Sequence, residues 1–415
     1  MFFKIELQRR RIMKKAIWLL MVVFALFIVH ESFAGLLNAP AHRPDPWGLG
    51  MSGAVTASGG GPSSLAGNQA GLFWIDGNWE LEVGSTFLFT DFDYSQDALL
   101  GGQNWGAKNE FFPFPEFFLA KRVTPNLVVG IGAWVPYGLA CDYSAYIPAF
   151  QSTVMIGNFG IGMSYLVTDD LLSGQLIFGA SLKAIYGNVE FKLPLMQGGN
   201  YLGSPRSATD GWGMGASVGL LYECYPWSLG ISYDIPVDIS ISGHTDFPAI
   251  TTLSRQSFDS EISYPGRLGI GAAYNITSRW MIALNYFWTD YSEMDALNVS
   301  YGNLPPSSVP LGWGDVHSVH LGNEYVANDW LTLRCGAGWM SDGSSDDYLV
   351  PSIPDVPGWD VTIGASVELT ENTTLNLAGI YAWGERDISF ASGRPASGYH
   401  TADIWGGGIS VNYQF

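Results

Sequence analysis

The residues of this chain that could do chemistry are few and do not converge. Gly48, Gly50 and Gly53 have the Gly-x-Gly-x-x-Gly spacing of a dinucleotide site, but the preceding His42-Arg43-Pro44-Asp45-Pro46-Trp47 cannot be the buried strand that such a turn follows. His317 and His320 stand three apart, so on a strand they point to opposite faces and cannot share a metal. Asp342, Asp346 and Asp347 with Gly343 offer oxygen donors for a divalent cation, or form a solvated acidic loop. No local motif marks a serine as a nucleophile with a histidine in reach. Cys141, Cys224 and Cys335 are odd in number and far apart, which gives neither a disulfide framework nor a Cys-x-x-Cys metal site. The sequence therefore predicts no enzyme, no cofactor and no metal.

What these residues are mounted on is far more legible. The chain ends in Ile409, Val411, Tyr413 and Phe415, with Gly408, Ser410, Asn412 and Gln414 between them. A period of two with a terminal aromatic is what the closing strand of an outer-membrane β-barrel carries, one face toward lipid and the other toward a polar lumen; Tyr413 and Phe415 are read as its assembly signal for the barrel-assembly machinery. At the other end, Lys14 and Lys15 precede an apolar run over residues 16–29, and Ser32-Phe33-Ala34 supplies the small residues that a signal peptidase inspects. Residues 1–34 are thus an export signal cut after Ala34, with Met13 as an alternative start. The apolar run is shorter than the ~20 residues of a spanning helix, which disfavours a retained anchor.

Removing six basic and two acidic residues with the signal takes the net charge from −19 to −23 and leaves thirteen Lys and Arg. Nucleic acid is excluded as a partner, since it needs clustered cations. No segment after the signal has the ~18 consecutive apolar residues of a transmembrane helix, so a membrane home must be built from strands.

The clearest strand alternates Trp227, Leu229, Ile231, Tyr233, Ile235, Val237, Ile239 and Ile241 with smaller or polar residues, which places all the apolar ones on one face. The pattern recurs at Trp280, Ile282, Leu284, Tyr286 and Trp288, and at Trp359, Val361, Ile363, Ala365, Val367 and Leu369. Turn residues divide residues 78–415 into about fourteen such strands, with short connections alternating with long ones, as outer-membrane barrels do. Residues 35–77 are Gly-, Ala-, Ser- and Pro-rich without alternation. They are read as a plug inside the barrel, with a disordered periplasmic tail as the alternative.

The N-terminal stretch contains Gly48-Leu49-Gly50-Met51-Ser52-Gly53-Ala54 and Asn68-Gln69-Ala70-Gly71-Leu72. Val135-Pro136-Tyr137-Gly138-Leu139, Tyr264-Pro265, Trp288-Thr289-Asp290-Tyr291-Ser292 and Pro351-Ser352-Ile353-Pro354-Asp355 follow in order. With these motifs in this order the chain resembles the FadL/TodX family of outer-membrane transporters of hydrophobic compounds. The resemblance implies an all-β, fourteen-stranded antiparallel barrel, monomeric among outer-membrane lipids and lipopolysaccharide, whose lumen is closed by a hatch at 35–77. It also implies that hydrophobic small molecules enter from outside and leave sideways at a kinked third strand, against Asn68, Gln69, Ala70 and Gly71. Gln69 stands where the family has Pro, which leaves the hatch less constrained. Gly130, Gly132, Pro136, Tyr137 and Gly138 are the candidates for the kink, since Pro lacks a donor and Gly weakens a strand.

Ligand contacts are placed by the same resemblance at Asn188, Phe287, Gly314 and Arg334. Gly314 and Asn188 stand where fatty-acid importers of the family hold cations, with Arg334 and Lys183 as the next candidates for a head-group partner. Ten buried methylenes at ~0.8 kcal/mol each would still hold a chain by about 8 kcal/mol without an ionic anchor. The function expected is passive uptake of long-chain fatty acids or neutral hydrocarbons. The rival readings are a general porin, which would line its constriction with opposed charges, and a surface adhesin or structural barrel.

Overall fold

In the computed structural model, residues 43–415 are described apart from residues 109, 147, 195, 198–199, 249–254, 295, 303–306, 392–393 and 395. The expected signal and residues 35–42 of the expected plug lie outside the described residues. Fourteen antiparallel strands form one closed sheet. The first seven are β1 (Trp79–Gln96), β2 (Glu110–Thr124), β3 (Leu127–Asp142), β4 (Gln151–Leu171), β5 (Gly174–Lys192), β6 (Arg206–Cys224) and β7, which runs in two segments, Trp227–Asp234 and Val237–Asp246. The others are β8, in segments Gln256–Tyr264 and Gly266–Thr277, then β9 (Trp280–Asp290), β10 (Val316–Asn328), β11 (Leu331–Met340), β12 (Gly358–Thr370), β13 (Thr373–Ile388) and β14 (Gly398–Gln414).

Closure is made by β14 pairing with β1 from Glu80↔Gln414 to Gln96↔Gly398. Phe415 extends it by one step: its N–H donates to the Trp79 carbonyl at 3.0 Å, the Trp79 N–H returns the bond at 3.2 Å, and the two rings stack at 6.0 Å. The side chains are sorted inside out relative to a water-soluble fold. Phe159, Ile161, Met163 and Tyr165 of β4 are exposed, while its Asn158 and Ser164 are buried. Such sorting is stable only where the outer medium is hydrocarbon.

One expectation fails in an instructive way. The apolar set of β7 does not keep to one face: Trp227, Leu229 and Ile231 point outward, whereas Ile239 and Ile241 are buried inside. The β6–β7 ladder pairs Asp234 with Ser217 and resumes at Ser240 with Trp212, so β7 carries one residue more than its neighbour. Pro236, which cannot donate to a ladder, sits in that interruption. β8 reverses phase beside it at Pro265, with Tyr264 and Arg267 both inward. Beyond the two breaks the outward residues are Asp238, Ser240, Asp259 and Glu261. These outer segments are greasy within and polar without, as suits a wall standing clear of the hydrocarbon.

Residues 43–77 lie inside the ring. Ten of the fourteen strands meet them through an inward glycine, so the segment is encircled rather than hung from one side. The approach leaves no room for a side chain: a Cβ on Gly179 would fall 2.2 Å from the Ala70 nitrogen, and one on Gly230 would fall 2.0 Å from the Thr56 carbonyl.

Closure at Trp79 and Phe415 should decide assembly. Phe415→Asp puts a charge where the ring stack seals the last pair of strands, and the heat-modifiable folded form in outer membranes should fall several-fold. Wild-type levels of that form would remove Phe415 from this role.

Candidate functional site

The floor of the lumen is built from the N-terminal segment. Asp45 caps the short helix Pro46–Gly50, and Arg43 ties Asp45 (2.5 Å) to Ser63 (2.7 Å) and the Gly60 carbonyl (3.0 Å). Hydrogen bonds then pin the segment to the wall on all sides. Trp47 donates to Glu324 of β10 (3.1 Å), Ser52 donates to Asp360 of β12 and meets His320 of β10 (3.2 Å), and Thr86 of β1 donates to the Pro44 carbonyl (2.9 Å). On the opposite side Asn68 donates to the Leu220 carbonyl of β6 (3.0 Å), Ser164 of β4 donates to the Ala70 carbonyl (2.8 Å), and Arg122 of β2 donates to the carbonyls of Phe73 and Ile75. Gln69 does not loosen this arrangement. It is fully buried and its amide donates to the carbonyls of Leu65 and Gly67, so a side chain supplies the local restraint expected of the family's proline.

Above this floor the inward faces of β4, β5, β7 and β8 bring Ile156, Ile185, Val189, Ile239, Ile241 and Phe258 together in a buried apolar cluster. Tyr137 packs against it, edge-on to Tyr264 at 5.3 Å. At its base lies a buried ionic cluster. Lys183 Nζ and Arg267 Nη2 approach the two carboxylate oxygens of Asp234 at 2.7 Å and 2.9 Å, and Ser217 also donates to Asp234. A second apolar cluster, from Leu49 of the floor through Phe112 and Phe114 of β2 to Trp105, Tyr143 and Phe150 at the outer end, fills the other side of the lumen. Burial pushes the Tyr143 phenol well above its usual range and keeps it neutral.

Between the two clusters the wall is incomplete. The β2–β3 ladder runs from Thr124↔Leu127 to Glu116↔Trp134 and stops, although β2 extends to Glu110 and β3 to Asp142. On its other side β3 pairs Trp134 with Asn158 and Tyr137 with Ile156, so Val135 and Pro136 together face Gly157 alone. This bulge swings outer β3 away from β2.

The expected site residues are only partly brought together. Pro136 and Tyr137 lie at the break and Gly138 just past it. Gly130 and Gly132 stay in a regular ladder and instead admit Leu72 and the Phe118 ring. Phe287 is buried in the lumen, 5.9 Å from the Arg267 guanidinium. Asn188 is not in the lumen: it shares the outward register of β5 with exposed Leu182, while Lys183 and Ile185 point in. Gly314 sits in an outer loop, donating to the Gly343 carbonyl at 2.6 Å. Arg334 is a floor anchor, held by Glu324 (2.7 Å) and Ser366 (2.6 Å) beneath the Trp47 ring. Asp342, Asp346 and Asp347 are tied to Arg386 and Arg394, and no metal-ligand cluster occurs among the described residues. Asp234 and Arg267 were missed. Their one signal is a charge on the small-residue phase, next to the prolines that interrupt β7 and β8.

Comparison with known proteins agrees with this architecture. The chain is 24% identical over 330 residues to a 47 kDa outer membrane protein of Pasteurella multocida, covering 72% of this chain and 76% of that one. It is 22% identical over 386 residues to a long-chain fatty acid transport protein of Escherichia coli, covering 80% and 84%. Among solved structures, a Pseudomonas aeruginosa FadL homologue superposes with a TM-score of 0.73 at 15% identity, over 92% of this chain and all of that one. The P. putida toluene transporter TodX superposes with a TM-score of 0.72 at 19% identity, over 89% and 97%. The family model described as outer membrane protein transport protein (OMPP1/FadL/TodX) matches residues 25–415, and the chain accordingly belongs to that family of outer-membrane proteins.

Proposed function

We propose that the protein is a passive, monomeric uptake channel for hydrophobic compounds, which collect at the apolar cluster and leave sideways into the membrane through the gap between β2 and β3. The observation that carries this reading is the conjunction of the cluster with the gap. Tyr137 belongs to both, and the floor beneath them is pinned to opposite sides of the barrel. An apolar solute held there faces a hydrogen-bonded polar floor below and, beside it, the place where the β2–β3 ladder stops, with Phe112 and Phe114 of β2 packed just beyond. Passage straight through would require breaking most of the floor's bonds at about 1 kcal/mol each, whereas lateral exit requires none of them. A water-filled porin would keep its lumen charges solvated; here Lys183, Asp234 and Arg267 are all buried. The closed sheet has no edge that needs a partner chain.

Two experiments test the parts separately. Removal of residues 35–77 should leave a barrel that inserts and conducts ions in planar bilayers many-fold better than the intact protein; equal conductance would make the segment a tail. Deletion of Pro136 takes out the extra residue of β3 and lets the ladder with β2 continue. Uptake of an apolar fluorescent probe by cells should drop at least several-fold while the folded barrel persists. Undiminished uptake from a folded ΔPro136 barrel would rule out the lateral route.

A further inference from the structure

We infer that Asp234 is a built-in counter-anion which occupies the position of a ligand's acidic head group and so sets the channel's preference for neutral hydrophobes. This rests on the uptake reading above and specifies its substrate class. The argument starts from where the chain puts its lumen charges. Lys183 comes from β5 and Arg267 from β8, and both side chains are directed at the base of the apolar cluster. Two cations beneath an apolar cluster are what would receive the carboxylate of an amphipathic acid whose chain lies among Ile156, Ile185 and Ile239.

Asp234 already fills that place. One of its oxygens accepts from Lys183 at 2.7 Å and from Ser217, and the other accepts from Arg267 at 2.9 Å. A carboxylic acid would have to displace this internal carboxylate and leave it buried without partners, which is costly. An ester, alkane or aromatic hydrocarbon asks nothing of the ionic cluster and needs only the apolar one. The break in β7 is what makes this possible: Asp234 is the last residue of the inner segment, and its side chain takes the inward phase directly beneath Ile239 and Ile241, which the phase reversal turns inward.

The test is competitive displacement of an apolar fluorescent probe from purified, detergent-solubilised full-length barrel by a long-chain fatty acid and by its methyl ester, at about pH 8, where the acid is ionised. Wild type should bind the ester at least as tightly as the acid. In Asp234→Asn the acid-to-ester affinity ratio should rise by about tenfold or more, because the two cations now need an anion. If Asp234→Asn does not assemble, Lys183→Met and the double variant Lys183→Met/Asp234→Asn replace it. The single change keeps a neutral Asp234–Arg267 pair and the ester preference, while the double change leaves Arg267 to the acid and should raise the ratio. A wild type that already prefers the acid tenfold, or a ratio unmoved by loss of Asp234 in either background, overturns the inference. A wild type that binds neither the probe nor the ester would overturn the uptake reading instead.

Discussion

In hydrocarbon no backbone N–H or C=O can be left without a partner, and this single constraint organises the molecule. It forces the sheet to close, so β1 and β14 pair along seventeen consecutive registers and the terminal Phe415 still exchanges both of its hydrogen bonds with Trp79. Once closure is obligatory, any interruption of the ladder stands out as a departure from the cheapest structure. Among the described residues, three interruptions border the apolar cluster: the bulge at Val135-Pro136, the break at Ile235-Pro236 and the break at Pro265. Each contains a proline, the one residue without a backbone donor to satisfy.

The interruptions act together. At β7 and β8 they reverse the side-chain phase, so that sequence which faces lipid in the inner segments faces the lumen in the outer ones. That reversal creates the apolar cluster inside the lumen, since a barrel with uniform phase would have put Ile239, Ile241 and Phe258 on the outside. At β3 the extra residue parts the wall beside the same cluster. Cluster and gap thus arise from one device, an added residue in a strand, used at neighbouring places around the ring.

How much of this could be read from the sequence follows from the same physics. Period-two alternation is local, so the strands were legible in the chain: the alternating run from Trp359 to Leu369 falls within β12 and that from Trp280 to Trp288 within β9. The absence of alternation set residues 43–77 apart from the strands, and the contacts of that segment with the inward glycines are what long-range packing adds. What local pattern cannot give is phase. The run from Trp227 to Ile241 alternates without a fault through the break, because the inserted residue changes which face a position occupies and leaves the spacing of apolar residues in the chain intact. Asn188 was misplaced for a related reason: one step along β5 separates it from the lumen side, and the resemblance located the neighbourhood without fixing the register. Arg334 was assigned to a ligand because nothing in the sequence shows that Glu324 lies opposite it on β10.

The ionic cluster at the base of the apolar one has a structural duty besides the one inferred for it. Where β7 loses its ladder at Pro236, Asp234 bonds to Lys183 of β5, Ser217 of β6 and Arg267 of β8, gathering three strands around the break by side chains. Stapling alone does not explain the choice of charges. Replacing a buried ion cluster with packed apolar residues is often neutral or stabilising, and an apolar base would have continued the apolar cluster that Ile185 and Ile239 already begin. A carboxylate held by two cations is instead poised between two uses of the same site: kept, it neutralises the cations and leaves a greasy pocket; lost, it exposes them to an acid. A single position on β7 would then be enough to turn a channel for neutral hydrophobes into one for fatty acids, with the barrel, the floor and the gap left as they are.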